Sequence, residues 1–181
     1  RPFWVRTITY PWAWDIVLDS ARELQLSFGI RTLVVFNTEA WGGVVDDLAG
    51  MARELNKFLA RADGAVAAIE PGNELDTPGW TDSHGNPISD DLIIAIGKKA
   101  AAVCQSRGVL CLSPSLLTGP EEGRFERIAA GLAGRVDAMA VHPDEVADAI
   151  KLDRERGAPV TEYAIGQNSA ATGTNAIAIG Q

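Results

Sequence analysis

Two kinds of apolar segment alternate along the chain. Short runs rich in valine, isoleucine and leucine predict β-strands at residues 3–8, 31–36, 65–69, 109–112, 136–141 and 159–161. Between them, apolar residues recur with helical spacing over residues 15–26, 46–62, 89–107, 124–133 and 144–156. The strand runs are almost continuously apolar, which predicts burial on both faces, as parallel sheets require. The alternation therefore predicts an α/β protein with a parallel sheet.

The residues at the ends of the helical segments support this division. Good N-cap residues begin three of them, at Asp15, Asp46 and Ser89. Glycines that can adopt the left-handed conformation follow the helical segments at Gly29, Gly64, Gly108, Gly134 and Gly157.

The tail, residues 167–181, consists of small and polar residues before its apolar residues 176–179. The sequence leaves open whether the tail forms a last strand or is loosely held.

The charge of the chain excludes two classes of partner. Lys and Arg number 16 and Asp and Glu number 24, which gives a net charge of −8. Nucleic acids and anionic membranes both need a basic surface, so neither is expected as a partner.

Cys104 and Cys111 are too few for a disulfide-stapled miniprotein and are expected to be buried free thiols. His and Cys show no metal-ligand spacing, so no metal or other cofactor is expected.

The length limits the size of the parallel sheet. A closed eight-stranded barrel usually needs about 250 residues, with roughly 200 as the low end. The 181 residues leave room for six or seven β/α units, and no linker divides them, so we expect one domain over residues 1–181. The phosphate-binding motifs G-x-G-x-x-G and G-x-x-x-x-G-K-[ST] are absent, which excludes the commonest functions of open sheets. Because the chain begins with Arg1, we expect a processed chain or a piece of a longer one.

Aromatic residues follow several predicted strands, at the position where parallel α/β proteins bind their ligands. The strand-to-helix connections contain four of the five tryptophans, and none is predicted within a helix: Trp12, Trp14, Trp41 and Trp80. Sugar rings present flat C–H faces that stack on indoles, so these residues are candidates for carbohydrate contact. Packing of the loop tops onto the core explains them equally well.

Two glutamates directly follow apolar strands. Glu74 comes after the strand at 65–69, and Glu162 comes after the strand at 159–161. Glycoside hydrolysis needs two carboxyl groups that face one glycosidic bond, one of them ionised and the other with a raised pKa. A strand-end glutamate can equally be an ion-pair partner. Glu70 and Asp76 flank Glu74 and either tune its pKa or are solvated charges at the rim.

In this order along the chain, the segments resemble those of the clan A glycoside hydrolases, which are retaining enzymes on a (β/α)8 barrel. Asn73-Glu74 resembles the motif that closes their fourth strand, and residues 160–163 resemble their seventh-strand motif, which carries the nucleophile. Residues 136–143, which end in His142-Pro143, are similar to their sixth strand. The other similar segments are residues 109–115 for the fifth strand, 31–36 with Trp41 for the third, and 3–6 with Arg6 for the second.

The resemblance implies an incomplete (β/α) barrel and a role for each residue of the motifs. Glu74 is the general acid/base, and Glu162 is the nucleophile that forms a glycosyl-enzyme intermediate. Asn73 hydrogen-bonds the sugar 2-hydroxyl, while Arg6 and His142 orient the two carboxylates and tune their charge. Arg6 as the partner of a core carboxylate, and His142 as a satisfied core residue, are the alternatives. The aromatic residues expected to contact an oligo- or polysaccharide substrate are Trp12, Trp41, Trp80 and Tyr163.

Three departures from the family pattern leave two other functions open. The first β/α unit of the family's barrel has no counterpart, and Asp144 stands where the family usually has a tyrosine. Near residues 176–180 there is no counterpart of the family's eighth-strand tryptophan, which forms the floor of the sugar site. One alternative is a non-catalytic carbohydrate-binding remnant of such a barrel. The other is a structural module of a larger assembly, in which a partner chain or domain covers the open flank, because open sheet edges are normally covered.

Overall fold

A four-stranded parallel sheet forms the centre of the molecule. The computed structural model describes residues 3–116, 123–140, 163–165 and 177–179. The strands β1 (Trp4–Thr9), β2 (Arg31–Phe36), β3 (Val66–Pro71) and β4 (Leu110–Cys111) lie side by side in chain order, and all neighbours are parallel. The predicted α/β fold with a parallel sheet is therefore confirmed. Over the described residues the sheet is open, with β1 at one edge.

A helix follows each of these strands. They are α1 (Trp14–Phe28), α2 (Leu48–Ala62), α3 (Asp90–Arg107) and α4 (Arg124–Leu132), which gives four successive β/α units. Their bounds lie within two residues of the predicted ones. None of the helices described is long and apolar enough to cross a membrane. The predicted helix at 144–156 and the predicted strand at 159–161 lie outside the described residues.

The tail of the chain contributes a separate pair of strands. β5 (Tyr163–Ile165) and β6 (Ile177–Ile179) pair in parallel, so the apolar residues near the C-terminus form a strand. The sequence had left this open.

The predicted strand at 136–141 is much reduced. Its described part makes one parallel bridge, between Ala138 and Leu112. Two amide groups that would extend a regular ladder donate instead to side chains: the amide of Cys111 to Asp137 Oδ2 at 2.8 Å, and the amide of Ala140 to Ser113 Oγ at 2.8 Å. In a regular ladder these amides would donate to backbone carbonyls, and short polar side chains compete with those carbonyls as acceptors.

Several predicted helix ends are corrected. The N-cap of α1 is Ala13, with Asp15 in the first turn, and the N-cap of α2 is Asp47, whose carboxylate accepts from the Gly50 amide at 2.8 Å. Ser89 caps α3, and Gly29 and Gly108 end their helices in the left-handed conformation, as predicted. Gly64 and Gly134 instead follow the C-caps Asp63 and Ala133, and Gly157 lies outside the described residues.

An aromatic cluster fills the space between the sheet and the first two helices. Phe58 of α2 lies 5.4 Å from the ring of Trp14 and 5.5 Å from that of Phe36, measured between ring centroids. Trp14 was expected in a loop, but it is the first residue of α1 and is buried. Its indole belongs to the core because it packs against Phe36 and Phe58, and the helix begins earlier than the capping pattern indicated. Cys104 and Cys111 are buried free thiols, as predicted.

The outer strand β1 contradicts the expectation of burial on both faces. Trp4 and Val5 are exposed, as is the preceding Phe3, because β2 is the only strand that pairs with β1 among the described residues. Leu26 and Phe28, near the end of α1, are exposed as well. We call these five apolar residues the open flank.

We expect Phe58→Ala to lower the free energy of unfolding by about 3–5 kcal/mol, because the side chain is fully buried between two aromatic rings. Phe28→Ala removes the same side chain from an exposed position and should change stability by no more than about 0.5 kcal/mol. Urea denaturation of both variants measures the difference. Equal losses would contradict the assignment of the core.

Candidate active site

A half-buried ion pair crosses the sheet and reaches the carboxyl end of β3. Arg6 lies in β1 and Glu70 in β3, with β2 between them. Arg6 Nε donates to Glu70 Oε2 at 3.0 Å, and Arg6 Nη2 donates to Glu70 Oε1 at 2.7 Å. The side chain of Glu70 is only 2% exposed, whereas that of Arg6 is 39% exposed. This two-point geometry fixes the plane of the guanidinium as well as its position.

The same guanidinium contacts the Asn-Glu motif. Arg6 Nη2 also donates to Asn73 Oδ1 at 3.0 Å. The pKa of Arg6 is raised above its ordinary value, chiefly by its hydrogen bond to Glu70, and further by the negative charges of Glu70 and Glu74 against the opposing effect of burial. Three of the residues singled out in the sequence, Arg6, Asn73 and Glu74, are therefore brought together at one edge of the sheet.

Glu74 is held in an unusual backbone conformation. Its φ is +49°, in the left-handed region that non-glycine residues rarely adopt. The Glu74 amide donates to Ser115 Oγ at 3.1 Å, so the buried segment after β4 supports the turn. Gly72 also has a positive φ of 88°, and a Cβ there would lie 2.8 Å from the Leu75 side chain. Backbone strain that the surrounding packing maintains is typical of functional sites.

Glu70 and Asp76 are buried charges, which corrects the interpretation of either as a solvated rim residue. Their side chains are 2% and 1% exposed. Asp76 faces Arg124, with 3.7 Å between Asp76 Oδ2 and Arg124 Nη1. The alternative that Arg6 is the partner of a core carboxylate is confirmed, but the sequence did not identify Glu70 as that carboxylate. The available signal was a glutamate inside an apolar strand, since such a residue needs a cationic partner.

The predicted aromatic contacts separate into different environments. Trp12 is 76% exposed, and one face of its indole stacks on Tyr10 with ring centroids 5.0 Å apart. Trp41 is 4% exposed, stacks on Phe36 at 6.0 Å, and donates from Nε1 to the Val44 carbonyl at 2.9 Å, so it packs the top of the core. Trp80 is half-buried and lines a cavity of about 680 Å³ next to the Glu74 turn.

The remaining predicted site residues are not described with side chains. Glu162 and His142 lie outside the described residues, and Tyr163 begins β5, of which only the backbone is described. The separation of the Glu74 and Glu162 carboxyl groups therefore stays a prediction. Within the part of the chain that is described, no group of three or more His, Cys, Asp or Glu residues is placed to hold a metal ion.

Two aspartates hold the loop that follows Glu74. Asp46, expected to start a helix at the solvent face, instead accepts hydrogen bonds from the Ser83 amide at 3.0 Å and from its hydroxyl. Asp82 accepts from the amides of His84 at 2.9 Å and Asn86 at 2.8 Å. The Ser83 hydroxyl lowers the pKa of Asp46, and the Asn86 amide lowers the pKa of Asp82. His84 is exposed, as expected for this turn.

The fold is similar to that of solved glycoside hydrolases. A glucosidase from Croceicoccus marinus matches at 15% identity and a TM-score of 0.54, over 79% of this chain and 34% of its own. The GH53 catalytic domain of Ignisphaera aggregans matches at 12% identity and a TM-score of 0.56, over 91% of this chain and 57% of that domain. Ega3 of Aspergillus fumigatus, solved with galactosamine, matches at 11% identity and a TM-score of 0.51, over 90% and 76%.

These similarities concern the fold. The expectation of a glycoside-hydrolase-like fold, drawn from the resemblance to clan A, is confirmed. The chain spans about a third of the length of the glucosidase and just over half of the GH53 domain. No protein-family model matches the sequence, and no curated protein matches it.

We expect Glu70→Gln to lower the free energy of unfolding by about 1–3 kcal/mol, because it removes the buried carboxylate that pairs with Arg6. Glu54→Gln is the matched control. Glu54 pairs with Lys57 at 2.9 Å and with Arg53 at 3.2 Å on the surface of α2, so its loss should cost no more than about 1 kcal/mol. Urea denaturation compares the two. A Glu70 variant as stable as the Glu54 variant would contradict a structural role for the buried pair.

The loop contact of Asp46 should be lost in acid. Because the folded-state pKa of Asp46 is lowered, its contact with Ser83 stabilises the loop above the ordinary carboxyl pKa of about 4 and is lost as pH falls through the lowered value. The amide resonance of Ser83 should therefore shift below about pH 4. Asp46→Asn should abolish that shift and leave the shift of the Asn86 amide, which reports on Asp82. An unchanged Ser83 titration in Asp46→Asn would contradict the assignment.

Proposed function

We propose that the chain is a retaining glycoside hydrolase that cleaves an oligo- or polysaccharide, on a single incomplete (β/α)-barrel domain spanning residues 1–181. The observation that carries the proposal is the placement of Glu74. A strained turn at the carboxyl edge of a parallel sheet presents this residue beside Arg6 and Asn73. The likeness in fold to glycoside hydrolases and the order of the motifs along the chain support it.

In this proposal the two carboxyl groups carry out a double displacement. The Glu74 carboxyl donates its proton to the glycosidic oxygen while the Glu162 carboxylate attacks the anomeric carbon, and the bond to the leaving sugar breaks. The Glu74 carboxylate then takes a proton from water, the water oxygen attacks the same carbon, and Glu162 is released. A carboxyl separation of about 5–5.5 Å is expected for this mechanism. Neither step needs a metal or a cofactor.

The other motif residues bind and orient. Asn73 contacts the 2-hydroxyl of the sugar, a contact that strengthens as charge develops on the ring. Arg6 supplies positive charge next to both members of the Asn-Glu motif. His142, directly after the predicted strand at 136–141, orients the two carboxylates. Trp12 offers an exposed indole face at the end of β1, and Trp80 and Tyr163 complete the expected contacts with the sugar. Trp41 contributes by holding the top of the core.

A carbohydrate-binding remnant without catalysis is the second candidate. The open flank favours it, because its five exposed apolar residues and an edge of β1 that no described strand pairs indicate that the barrel is completed by something outside the described residues. A partner chain or domain on that flank is part of this alternative. Saturable sugar binding without any hydrolysis, at high protein concentration and long times, would decide for it.

Two Glu→Gln variants test the catalytic roles. On an aryl glycoside with a poor leaving group, Glu74→Gln should lower kcat about 10²- to 10⁴-fold, because the leaving oxygen is no longer protonated. With dinitrophenolate, which leaves without protonation, the first step should be almost unaffected. Glu162→Gln should abolish turnover of both substrates, because the covalent intermediate can no longer form.

Glu126→Gln is the control, since Glu126 is exposed in the first turn of α4, and its activity should equal that of the unmodified chain. Undiminished turnover by Glu162→Gln would exclude Glu162 as the nucleophile. An equal loss of kcat/KM, which reports the first step, on both leaving groups would exclude Glu74 as the general acid.

A further inference from the structure

The guanidinium of Arg6 joins two acceptors of different kinds. Its Nε and Nη2 groups donate to both oxygens of Glu70, and Nη2 donates also to the side-chain oxygen of Asn73. Glu70 is almost completely buried, whereas Asn73 is half-buried at the end of the strand. The Arg6 guanidinium is thus anchored in the core by Glu70 and reaches the candidate site through Asn73.

Contact with arginine decides which way the Asn73 amide points. Arginine has only donors, so the atom of Asn73 that faces Arg6 must be its oxygen. The NH₂ group then points away from Arg6, and it is the donor that Asn73 offers to a ligand at this edge. A sugar hydroxyl that meets this group must accept the hydrogen bond through its oxygen.

We infer that Glu70 is a positioning residue, which fixes the direction of the Asn73 amide by holding Arg6 in one plane. The inference rests on the proposed function, in which Asn73 contacts the sugar 2-hydroxyl. Glu70 itself touches no substrate, because it is buried beneath Arg6. Its two-point contact is what prevents rotation of a long side chain that is otherwise 39% exposed.

Removing the negative charge of Glu70 has a specific consequence. The neutral amide that Glu70→Gln introduces has one acceptor oxygen in place of two, so Arg6 loses one of its two hydrogen bonds to this position and can turn. Asn73 then loses the partner that distinguishes its oxygen from its nitrogen. The site keeps its other residues but loses the preference for a hydroxyl at the sugar 2-position.

The test compares an aryl glycoside with its 2-deoxy analogue, using the dinitrophenyl leaving group for both. In the unmodified chain the 2-hydroxy substrate should have the higher kcat/KM. Glu70→Gln should lower the ratio of the two values about three- to tenfold, which is the effect of losing one hydrogen bond. Asn73→Asp keeps an oxygen that accepts from Arg6 but removes the NH₂ group that donates to the sugar 2-hydroxyl. It should therefore lower the ratio by a similar factor, although it also adds a negative charge to the site.

Two controls separate positioning from a merely structural role. Glu54→Gln should leave the ratio unchanged, since it removes a surface glutamate of α2. In an Asn73→Ala background, Glu70→Gln should have no further effect on the ratio. If Glu70→Gln slows both substrates equally, or changes the ratio equally with and without Asn73, the inference is overturned.

A second measurement needs no turnover and so separates failure of the inference from failure of the proposed function. In the ligand-free protein, Glu70→Gln should shift or broaden the side-chain amide resonances of Asn73. Asn56 is the internal control, because its Oδ1 accepts from Arg107 Nε at 2.9 Å and Nη2 at 2.7 Å, in a contact that involves neither Arg6 nor Glu70. Unchanged Asn73 resonances would overturn the inference even in an active enzyme. Shifted Asn73 resonances in a protein that hydrolyses no glycoside would support it and reject the proposed function.

Discussion

Arg6 and Glu70 lie on strands that are not neighbours, and the hydrogen bonds between them pass over β2. Burial of Glu70 would be costly if it were unpaired, so the carboxylate requires the guanidinium at a fixed place. Arg6, in turn, has Asn73 as its third acceptor. One ion pair therefore links β1 to β3 across β2 and connects both to the Asn-Glu motif. The rest of the candidate site is arranged around that constraint.

The turn that carries Glu74 depends on support from the segment after the neighbouring strand, β4. A left-handed glutamate is unfavourable in isolation, and its amide is satisfied by Ser115, which follows β4. Ser113, two residues earlier, accepts from the amide of Ala140. Hydroxyl groups after β4 thus join the third strand to the segment that would continue the barrel. Ser113 and Asp137 also explain why the predicted strand at 136–141 is reduced to a bridge, because each accepts from an amide that a ladder would use.

The amphipathic pattern was sufficient for the order of strands and helices, because apolar periodicity follows directly from which faces are buried. It was less informative where local signals compete. Asp46 and Asp47 are both good N-cap residues, and only the approach of Ser83 decides that Asp46 holds a loop while Asp47 caps α2. Trp14 and Trp41 carry the same side chain as Trp12, yet two of them are buried and one is exposed. The difference comes from packing against Phe36 and Phe58, which are distant in sequence.

The sequence by itself determined the parallel α/β class, the four described β/α units, the strand that carries Arg6 and the strand end that carries Asn73 and Glu74, because each of these follows from local periodicity and from the direction of parallel strands. Only the tertiary structure decided that Arg6 reaches Glu70 and Asn73 together. Those residues are 64 and 67 positions apart from Arg6 in the chain, and no local pattern records which charge a buried carboxylate will meet. That choice is made when β1, β2 and β3 come into register.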